Sequence, residues 1–269
     1  MKIGNKEFDI NNRTYIMGIL NVTPDSFSDG GTHTDIDECL RFVAEMIANG
    51  ADIIDVGGES TRPGAVRISA SEELGRVMPI IEGIKKEFDI PISLDTYKAE
   101  VARCGINAGA AMINDVGGLC EDPDMAGVIA DGKVCCCIME PGKCKPCSFS
   151  NMRKSIEESI EVAVKAGISK DKIVIDPGIG FGKTVEENLM LINNLDKFRE
   201  VGYPVLLGCS RKSIIGNVLD AAVDRRLYGT LATTAMAVFK GAAFVRVHDI
   251  RENADVVKMI QSIMGAGRL

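Results

Sequence analysis

Two cationic side chains near the end of the sequence are spaced to act on one ligand. Arg246 and His248 lie two residues apart in an apolar, β-branched run, and alternate residues of a strand point to the same face. Paired cations suit an anionic group such as phosphate. Lys212 and Ser213 belong to a second basic segment before a predicted helix, whose first N–H groups also favour an anion. The alternatives are a salt bridge to a neighbouring aspartate for Arg246 and a structural role for His248.

A set of acidic and amide side chains offers hydrogen-bond acceptors. Asp95, Asn114 and Asp176 each stand at the end of an apolar run. Because a carboxylate only accepts hydrogen bonds, these groups suit a ligand edge rich in N–H donors, such as an aminopyrimidine. A lone Asp or Asn at such a position is more often a turn former or a helix cap. Seven of the eight runs end in polar groups of this kind, which favours a shared site.

Two long segments rich in Gly, Pro and small polar residues follow the first two apolar runs. One begins at Asn21, and the other contains Thr61, Arg62 and Pro63. A mobile surface loop is the simpler interpretation of each. Their length and position directly after strands favour lids that close over a substrate and exclude water.

Eight apolar runs with helical patterns between them must position these groups. The runs end near residues 20, 57, 95, 115, 139, 176, 208 and 247, about 32 residues apart. Strands separated by helices imply parallel pairing and right-handed crossovers. The pattern predicts an α/β fold, a single-domain (β/α)8 TIM barrel over residues 1–269, with the active site at the carboxyl ends of its strands. A doubly wound open sheet is the alternative.

Helix boundaries are marked by polar residues and glycines. Two pairs have the spacing of a capping box at a helix start, Ser69 with Glu72 and Thr184 with Glu187. Glycines stand where three of the helices are expected to end, at Gly50, Gly109 and Gly167.

Composition narrows the class of protein. The 269 residues are 46% hydrophobic and 26% charged, which is ordinary for a soluble globular protein. The formal net charge of −7 excludes an overall basic field for nucleic acid, so no nucleic-acid partner is expected. No run approaches the roughly 20 apolar residues of a membrane span, and the N-terminus lacks the apolar core of a signal peptide. The nine cysteines are therefore expected to be reduced thiols in the cytoplasm.

Seven segments carry a more specific signal. The two longest are GILNVTPDSFSDGG at residues 18–31 and DVGGESTRPG at residues 55–64. Five shorter segments follow at residues 93–96, 113–116, 176–183, 210–213 and 246–249. In order and spacing they resemble the dihydropteroate synthase family of pterin-binding enzymes. The resemblance extends over about residues 12 to 265.

The resemblance implies a reaction in folate biosynthesis. In that reaction 6-hydroxymethyl-7,8-dihydropterin pyrophosphate and p-aminobenzoate give 7,8-dihydropteroate and pyrophosphate, with Mg²⁺ as cofactor. It implies a homodimer that forms through the last helices, and competition by sulfonamides for the p-aminobenzoate pocket.

The resemblance also assigns roles to individual residues. It implies that the pterin is held by Asp95, Asn114, Asp176 and Lys212, with Met139 in the pocket wall. The pyrophosphate is held by Asn21, Arg246 and His248, and Asn21 also lies near Mg²⁺. Thr61 and Arg62 belong to the second loop, and the p-aminobenzoate pocket contains Pro63, Phe181, Lys212 and Ser213.

A catalytic scheme follows from the chemistry of the substrate. The electron-rich dihydropterin ring can stabilise a cation on its methylene, so cleavage of the C–O bond can precede attack by the amine. The residues expected to take part are Asp95, Lys212, Arg246 and His248. Arg246 and His248 stabilise the departing pyrophosphate, while Asp95, with Asp25 or Asp29, stabilises the cation.

One stretch departs from the family pattern. Glu140 follows Met139 where the family usually has a histidine. Cys144 and Cys147 form a C-x-x-C pair nearby, downstream of the run of three cysteines at residues 135–137. A zinc site with Cys137 or a redox pair is conceivable. The favoured interpretation is three small core residues and two loop cysteines without a metal.

Two other functions compete with the synthase. A pterin-dependent methyltransferase of the corrinoid type shares the barrel and the pterin-binding acids. It does not need the loop around Thr61 and Arg62 or the pair of Arg246 and His248. A non-catalytic pterin-binding paralogue is expected to have lost a phosphate ligand. Because these features are present, the sequence favours the synthase.

Overall fold

Parallel strands form the centre of the protein, in a computed structural model that describes residues 1–23, 33–61, 64–140, 142, 145 and 147–266. The described strands, in chain order, are β1 (Lys2–Ile3), β2 (Lys6–Glu7), β3 (Tyr15–Asn21), β4 (Ile53–Gly57), β5 (Ile92–Asp95), β6 (Met112–Asp115), β7 (Cys135–Met139), β8 (Ile173–Asp176), β9 (Leu206–Leu207) and β10 (Phe244–Val247). Strands β3 to β10 belong to one sheet, and each pairs in parallel with its neighbours.

The sheet closes into a barrel. Its order is β8-β7-β6-β5-β4-β3-β10-β9, so β8 and β9 are the two ends. Ile175 of β8 forms a parallel bridge with Val205, next to β9, and the Ile175 N–H donates to the Pro204 carbonyl at 2.9 Å. The predicted (β/α)8 barrel is therefore confirmed, and the open-sheet alternative is wrong.

Helices follow the strands and cover the outside of the barrel. Those that the structure describes are α1 (His33–Ala48), α2 (Ala70–Glu87), α3 (Ala99–Ala108), α4 (Met125–Gly132), α5 (Phe149–Lys165), α6 (Val185–Asn193), α7 (Leu195–Arg199), α8 (Ser213–Leu219), α9 (Leu227–Phe239) and α10 (Ile250–Ala266). Within the described ranges, no helix is both long and apolar enough to span a bilayer.

The predicted helix boundaries are largely correct. Thr184 and Glu187 form a full capping box at the start of α6. At the start of α2 only half of the box forms. The Ser69 hydroxyl accepts from the Glu72 N–H, but the Glu72 carboxylate instead pairs with Arg76 at 2.5 Å. Gly109 ends α3 with φ 115°, a left-handed conformation that favours glycine.

Alternate residues of the strands fill the barrel interior. Toward the amino ends of the strands, a buried cluster contains Met17, Ile53, Met112, Cys135, Cys137, Val174, Leu206 and Phe244. The residues between them pack against the helices. Because strand side chains repeat with a period of two, the next inward positions along four strands are Asp55, Asn114, Asp176 and Arg246. The interior is thus apolar at one end and polar at the other.

A short hairpin, not predicted from the sequence, closes the apolar end. Strands β1 and β2 pair antiparallel, and Phe8 follows them. The ring of Phe8 packs on Tyr15 at 4.8 Å and on Phe244 at 5.8 Å between centroids. This end is therefore sealed by aromatic side chains, and only the carboxyl ends of the strands present polar groups.

Candidate active site

The carboxyl ends of the strands bring together the residues that the sequence selected. The acceptor groups Asp95, Asn114 and Asp176 are all buried there, as is Met139 at the end of β7. Partly buried around them are Asn21, Phe181, Lys212, Arg246 and His248. The barrel, rather than any single segment, assembles this group, as is usual for the fold.

Arg246 lies between two carboxylates. Its Nε is 2.5 Å from Asp55 Oδ2, and its Nη2 is 2.7 Å from Asp95 Oδ2. Burial alone lowers the pKa of Arg246, but the two carboxylates outweigh it and raise the pKa, so the side chain stays charged. The salt bridge that the sequence left open is therefore present. Within the described residues, the bonds to the carboxylates leave Nη1 for a further acceptor.

Asp95 is held in an environment that resists negative charge. Burial is the largest cause that raises its pKa, to about 7. Arg246 opposes the rise, and Asp55 adds to it. Among the described residues, neither Asp95 Oδ1 nor Asp55 Oδ1 has a hydrogen-bond partner, although both atoms are buried. A positive group close to these oxygens would be strongly favoured.

Asp55 is the site residue that the sequence analysis did not select. Its Oδ2 accepts from Asn114 Nδ2 at 3.2 Å as well as from Arg246. A carboxylate only accepts, so it fixes the Asn114 amide with its NH₂ toward Asp55. The mid-strand position of Asp55, with the period of two, was the signal that could have found it.

Asp176 and Lys212 approach each other beside Gly208. A Cβ built on Gly208 would lie 3.5 Å from Asp176 Oδ2 and 3.9 Å from Lys212 Nζ, so glycine leaves the room in which the two groups approach. Burial raises the pKa of Asp176, and Lys212 opposes that rise. Burial lowers the pKa of Lys212, and Asp176 opposes that fall. Asp176 and Lys212 therefore place a hydrogen-bond acceptor and a hydrogen-bond donor of opposite charge side by side.

Lys212 also links two loops. Its Nζ donates to the Ile179 carbonyl at 2.6 Å and lies 4.8 Å from the centroid of the Phe181 ring. Ser213 begins α8 directly after it, with Lys212 as the N-cap residue. Helix α8 therefore starts where the sequence predicted a helix, and its first N–H groups lack acceptors within the helix.

His248 is oriented by a serine. Its Nδ1 lies 3.0 Å from Ser210 Oγ, and its backbone N–H donates to the same oxygen at 3.2 Å. A hydroxyl that donates to Nδ1 leaves the proton of a neutral ring on Nε2, where it suits an anion. Arg211, which has φ 56°, points away and pairs with Asp249 through Nε at 3.0 Å. Of the two adjacent cations, the structure brings only Lys212 into the site.

Comparison with known proteins decides between the possible families. The model of a family described as pterin-binding enzymes matches residues 17–248. A dihydropteroate synthase from Clostridium beijerinckii is 54% identical over 269 aligned residues, which cover 98% of this chain and 99% of that protein. The chain belongs to the dihydropteroate synthase family. It is therefore a transferase of folate biosynthesis.

Solved structures of the family agree with the fold. A dihydropteroate synthase from Clostridium difficile, solved in the presence of pteroic acid, has a TM-score of 0.92 at 48% identity, over 96% of this chain and 99% of that one. The Yersinia pestis dihydropteroate synthase, solved with a sulfonamide drug, has a TM-score of 0.91 at 36% identity, over 98% of this chain and 99% of that one.

The second family loop is held by an ion network beneath it. Lys98 pairs with Glu59 at 2.5 Å and with the buried Glu73, and the Tyr97 hydroxyl donates to Glu59 at 2.6 Å. Burial opposes ionisation of Glu59, but its hydrogen bonds from Lys98 and Tyr97 outweigh burial and lower its pKa. Thr61 is half-buried above this network. Arg62, Pro63 and residues 24–32, with Asp25 and Asp29, lie outside the described residues.

Dihydropteroate synthases imply a Mg²⁺ ion, and the oxygens at β3 to β5 fit one. A Cβ built on Gly57 would lie 3.8 Å from Asp95 Oδ2 and 3.9 Å from Asn21 Oδ1, so glycine keeps open a space lined by oxygen atoms. Within the described residues, no group of three or more His, Cys, Asp or Glu side chains could hold a metal. Mg²⁺ needs only one or two protein oxygens when phosphate oxygens and water complete its shell.

The three consecutive cysteines of the unusual stretch lie in the protein interior. Cys135, Cys136 and Cys137 form β7 and are fully buried. Burial raises the pKa of Cys135 to about 11 and raises that of the other two further, so these thiols are poor nucleophiles and metal ligands. They act as small core residues. Cys147 is half-buried, and Cys144 lies outside the described residues.

Proposed function

We propose that this member of the dihydropteroate synthase family joins p-aminobenzoate to 6-hydroxymethyl-7,8-dihydropterin pyrophosphate by dissociative substitution. The observation that carries the proposal is the buried Asp55–Arg246–Asp95 arrangement, with salt-bridge distances of 2.5 and 2.7 Å. It sets a fixed cation beside two carboxylates, each of which has one buried oxygen without a hydrogen-bond partner among the described residues. Such a site suits a leaving anion next to a carbon that becomes positive.

The pterin is held at the polar wall between β6 and β9. Asp176 and the oxygen of Asn114 accept from the N–H groups of the 2-aminopyrimidine edge, which matches their hydrogen-bonding chemistry. Lys212 donates to an acceptor of the ring, and Met139 packs against its face. Asp55 acts through Asn114 by holding its amide in the accepting orientation, at 3.2 Å.

The pyrophosphate lies toward β3 and β10. Arg246 and His248 donate to its oxygens, and Asn21 holds the ion beside them. When bound, Mg²⁺ neutralises charge on the pyrophosphate and makes it a better leaving group. Asn21 Oδ1 and Asp95 Oδ2 both lie within 4 Å of the space over Gly57, which supports this placement.

The aryl amine enters from the loop side. The Phe181 ring packs against its aromatic ring, and its carboxylate meets Ser213 and the N–H groups at the start of α8. Lys212, at 4.8 Å from the Phe181 centroid, lies between the two substrates. By the family resemblance, Thr61 and Arg62 belong to the second loop and Pro63 to the p-aminobenzoate pocket.

Bond breaking precedes bond making in this site. The C–O bond of the methylene breaks with both electrons leaving on pyrophosphate, which Arg246 and His248 stabilise. Asp95 stabilises the cation that remains on the pterin methylene. The positioned amine then forms the C–N bond and releases a proton to solvent, so no covalent enzyme intermediate is needed.

A product assay tests this function. The protein is incubated with the pterin pyrophosphate, p-aminobenzoate and Mg²⁺, and dihydropteroate is measured. We expect product from the wild type and about 100-fold slower turnover from Arg246→Ala, because a donor to the leaving group is lost. The exposed Arg225→Ala serves as the control. Unchanged turnover in Arg246→Ala, or a trapped covalent adduct, contradicts the mechanism.

The assembly is a homodimer that forms through α9 and α10. These helices pack on each other and expose large apolar side chains on one side, namely Tyr228, Met236, Phe239, Met259 and Ile263. Exposed apolar groups of this extent are typical of protein interfaces.

The whole chain, residues 1–269, acts as one pterin-binding domain in the cytoplasm, without a nucleic-acid partner.

A further inference from the structure

A buried ion pair lies at the stretch where the chain departs from its family. Glu140 directly follows β7, and its Oε2 lies 2.8 Å from Lys183 Nζ. The two side chains are 0% and 2% exposed. The mechanism above uses neither group. Because a buried ion pair rarely adds net stability, its role here is to fix the positions of the segments that it joins.

The pair joins the exits of two neighbouring strands. Lys183 Nζ donates to the Gly178 carbonyl at 2.8 Å, within the loop that follows β8. Glu140 Oε2 also accepts from the Gly142 N–H at 2.9 Å, in the loop that follows β7. The Glu140 N–H in turn donates to the Asp176 carbonyl at 3.0 Å. The ammonium and the carboxylate therefore fasten both loops to the rim of the barrel.

The loops are also in direct backbone contact. Gly178 has φ 69°, and a Cβ there would lie 2.3 Å from the Glu140 carbonyl oxygen. Gly142 has φ 76°, and a Cβ there would lie 2.4 Å from the Phe181 carbonyl oxygen. Neither glycine leaves space for a side chain, so the Glu140–Lys183 pair sits where a small shift of one loop moves the other.

The fastened loop carries two groups that face the substrates. Its Ile179 carbonyl accepts from Lys212 Nζ at 2.6 Å, and its Phe181 ring lies beneath the same ammonium. On its other side the loop is held by Asn188, whose Oδ1 accepts from the Gly180 N–H at 2.7 Å. The position of the loop thus sets both the aromatic surface and the direction of Lys212.

We propose that Glu140 and Lys183 are positioning residues for p-aminobenzoate. They fix the position of the Phe181 loop so that its ring and Lys212 both contact the aryl amine. The backbone of Asp176 is held by strand pairing with β7, and Asn114 and Met139 lie outside the loop, so the pterin depends less on the pair than the aryl amine does. The role rests on the proposed function, because it assumes that Phe181 faces the aryl amine.

A double variant tests this role without leaving a lone buried charge. Glu140→Gln with Lys183→Met removes both charges while keeping similar volumes, so we expect it to fold. The KM for p-aminobenzoate should rise on the order of tenfold, because a misplaced ring loses productive geometry. The KM for the pterin pyrophosphate and the Kd of the pterin alone should change less, because Asn114 and Met139 hold the pterin from strands outside the loop. The matched control is Arg153→Met with Glu157→Gln, an exposed pair also at 2.8 Å.

Glu140→Gln alone is the second variant, and it decides the matter if the double variant does not fold. It keeps an acceptor for the Gly142 N–H and weakens the ion pair with Lys183, so a smaller selective rise in the same KM is expected. An unchanged KM for p-aminobenzoate, or an equal change for both substrates, overturns the proposal. Wild-type protein that binds pterin but makes no dihydropteroate instead contradicts the proposed function.

Discussion

At the scale of single residues, the site depends on charges that are paired only in part. Arg246 is bound on one side by Asp55 and Asp95, while one oxygen of each carboxylate is buried without a partner among the described residues. This arrangement keeps the guanidinium fixed before substrate arrives. It also leaves negative potential where the pterin methylene becomes positive, which is electrostatic preorganisation in its usual sense.

Asp95 gives the reaction a pH dependence. Its pKa is raised to about 7, so the carboxyl becomes neutral as the pH falls through this value. A neutral carboxyl neither pairs with Arg246 nor stabilises a cation. We expect kcat/KM for the pterin pyrophosphate to fall as the pH drops below about 7. The Asp95→Asn variant should have a lower kcat/KM that does not fall over this pH range. An identical fall in Asp95→Asn assigns the titration to the substrate and contradicts this role.

Gly57→Ala probes the space assigned to Mg²⁺. The new methyl group meets Asp95 and Asn21 at 3.6 to 3.9 Å, which is ordinary contact, so the variant should fold with an unchanged Tm. It narrows the space between the two oxygens. We expect the Mg²⁺ concentration for half-maximal rate to rise severalfold, at an unchanged Kd for the pterin alone. An unaltered Mg²⁺ dependence argues against a site at this position.

At the scale of elements, the strands fix the site and the loops complete it. The acceptors lie on strands whose register is set on both sides, whereas the second loop relies on the ion network around Lys98. Glu59 and Glu73 are 6% and 1% exposed and share that one ammonium. The network links β4, α2 and the start of α3, so the base of the loop is held by three elements.

Removal of Lys98 should unfold the base of the second loop. Lys98→Met leaves two buried carboxylates without their cation, which costs about 3 kcal/mol in the free energy of unfolding. Denaturant titration measures this loss. Adding Glu73→Gln to Lys98→Met should recover part of it, since one uncompensated charge disappears. A single variant as stable as the wild type contradicts the assignment of the network as a support.

The sequence predicted most of this arrangement because strands repeat with a period of two and helices separate them. The positions of Asp95, Asn114 and Asp176 at the carboxyl ends of strands were predictable for that reason. Asp55 was missed because a lone acid inside a strand has no turn or cap signal, so that only the period of two marks it as facing inward, and its partner Arg246 lies far along the sequence. The Glu140–Lys183 pair was missed because two loops must come together before the charges meet. The hairpin β1–β2 has only two residues in each strand, too few for a periodic signal.

At the scale of the whole molecule, α9 and α10 expose large apolar side chains on the outside of the barrel. Phe239 on α9 is 65% exposed and Met259 on α10 is 61% exposed, on helices that pack together. Burial of such side chains contributes roughly 25 cal/mol per Å² of apolar surface. The proposed homodimer therefore accounts for apolar groups that the barrel itself does not cover.

Phe239→Asp combined with Met259→Asp should separate the dimer. Buried carboxylates without partners oppose association. Sedimentation at a concentration where the wild type is dimeric should give the monomer mass for the variant. Val162→Asp on α5, also an exposed apolar position, should leave the mass unchanged. A wild-type monomer, or a variant that stays dimeric, contradicts an interface at α9 and α10.

One labelling experiment tests the central claim most directly, namely that this barrel end replaces pyrophosphate by an aryl amine at the pterin methylene. The pterin pyrophosphate is labelled with heavy oxygen at the bridge between the methylene carbon and phosphorus. It is then incubated with the protein, p-aminobenzoate and Mg²⁺, and the products are analysed by mass spectrometry. We predict unlabelled dihydropteroate and an equal amount of labelled pyrophosphate, because the C–O bond breaks. Label retained on a hydroxymethyl pterin, or no dihydropteroate from folded protein that binds the pterin, would contradict the account.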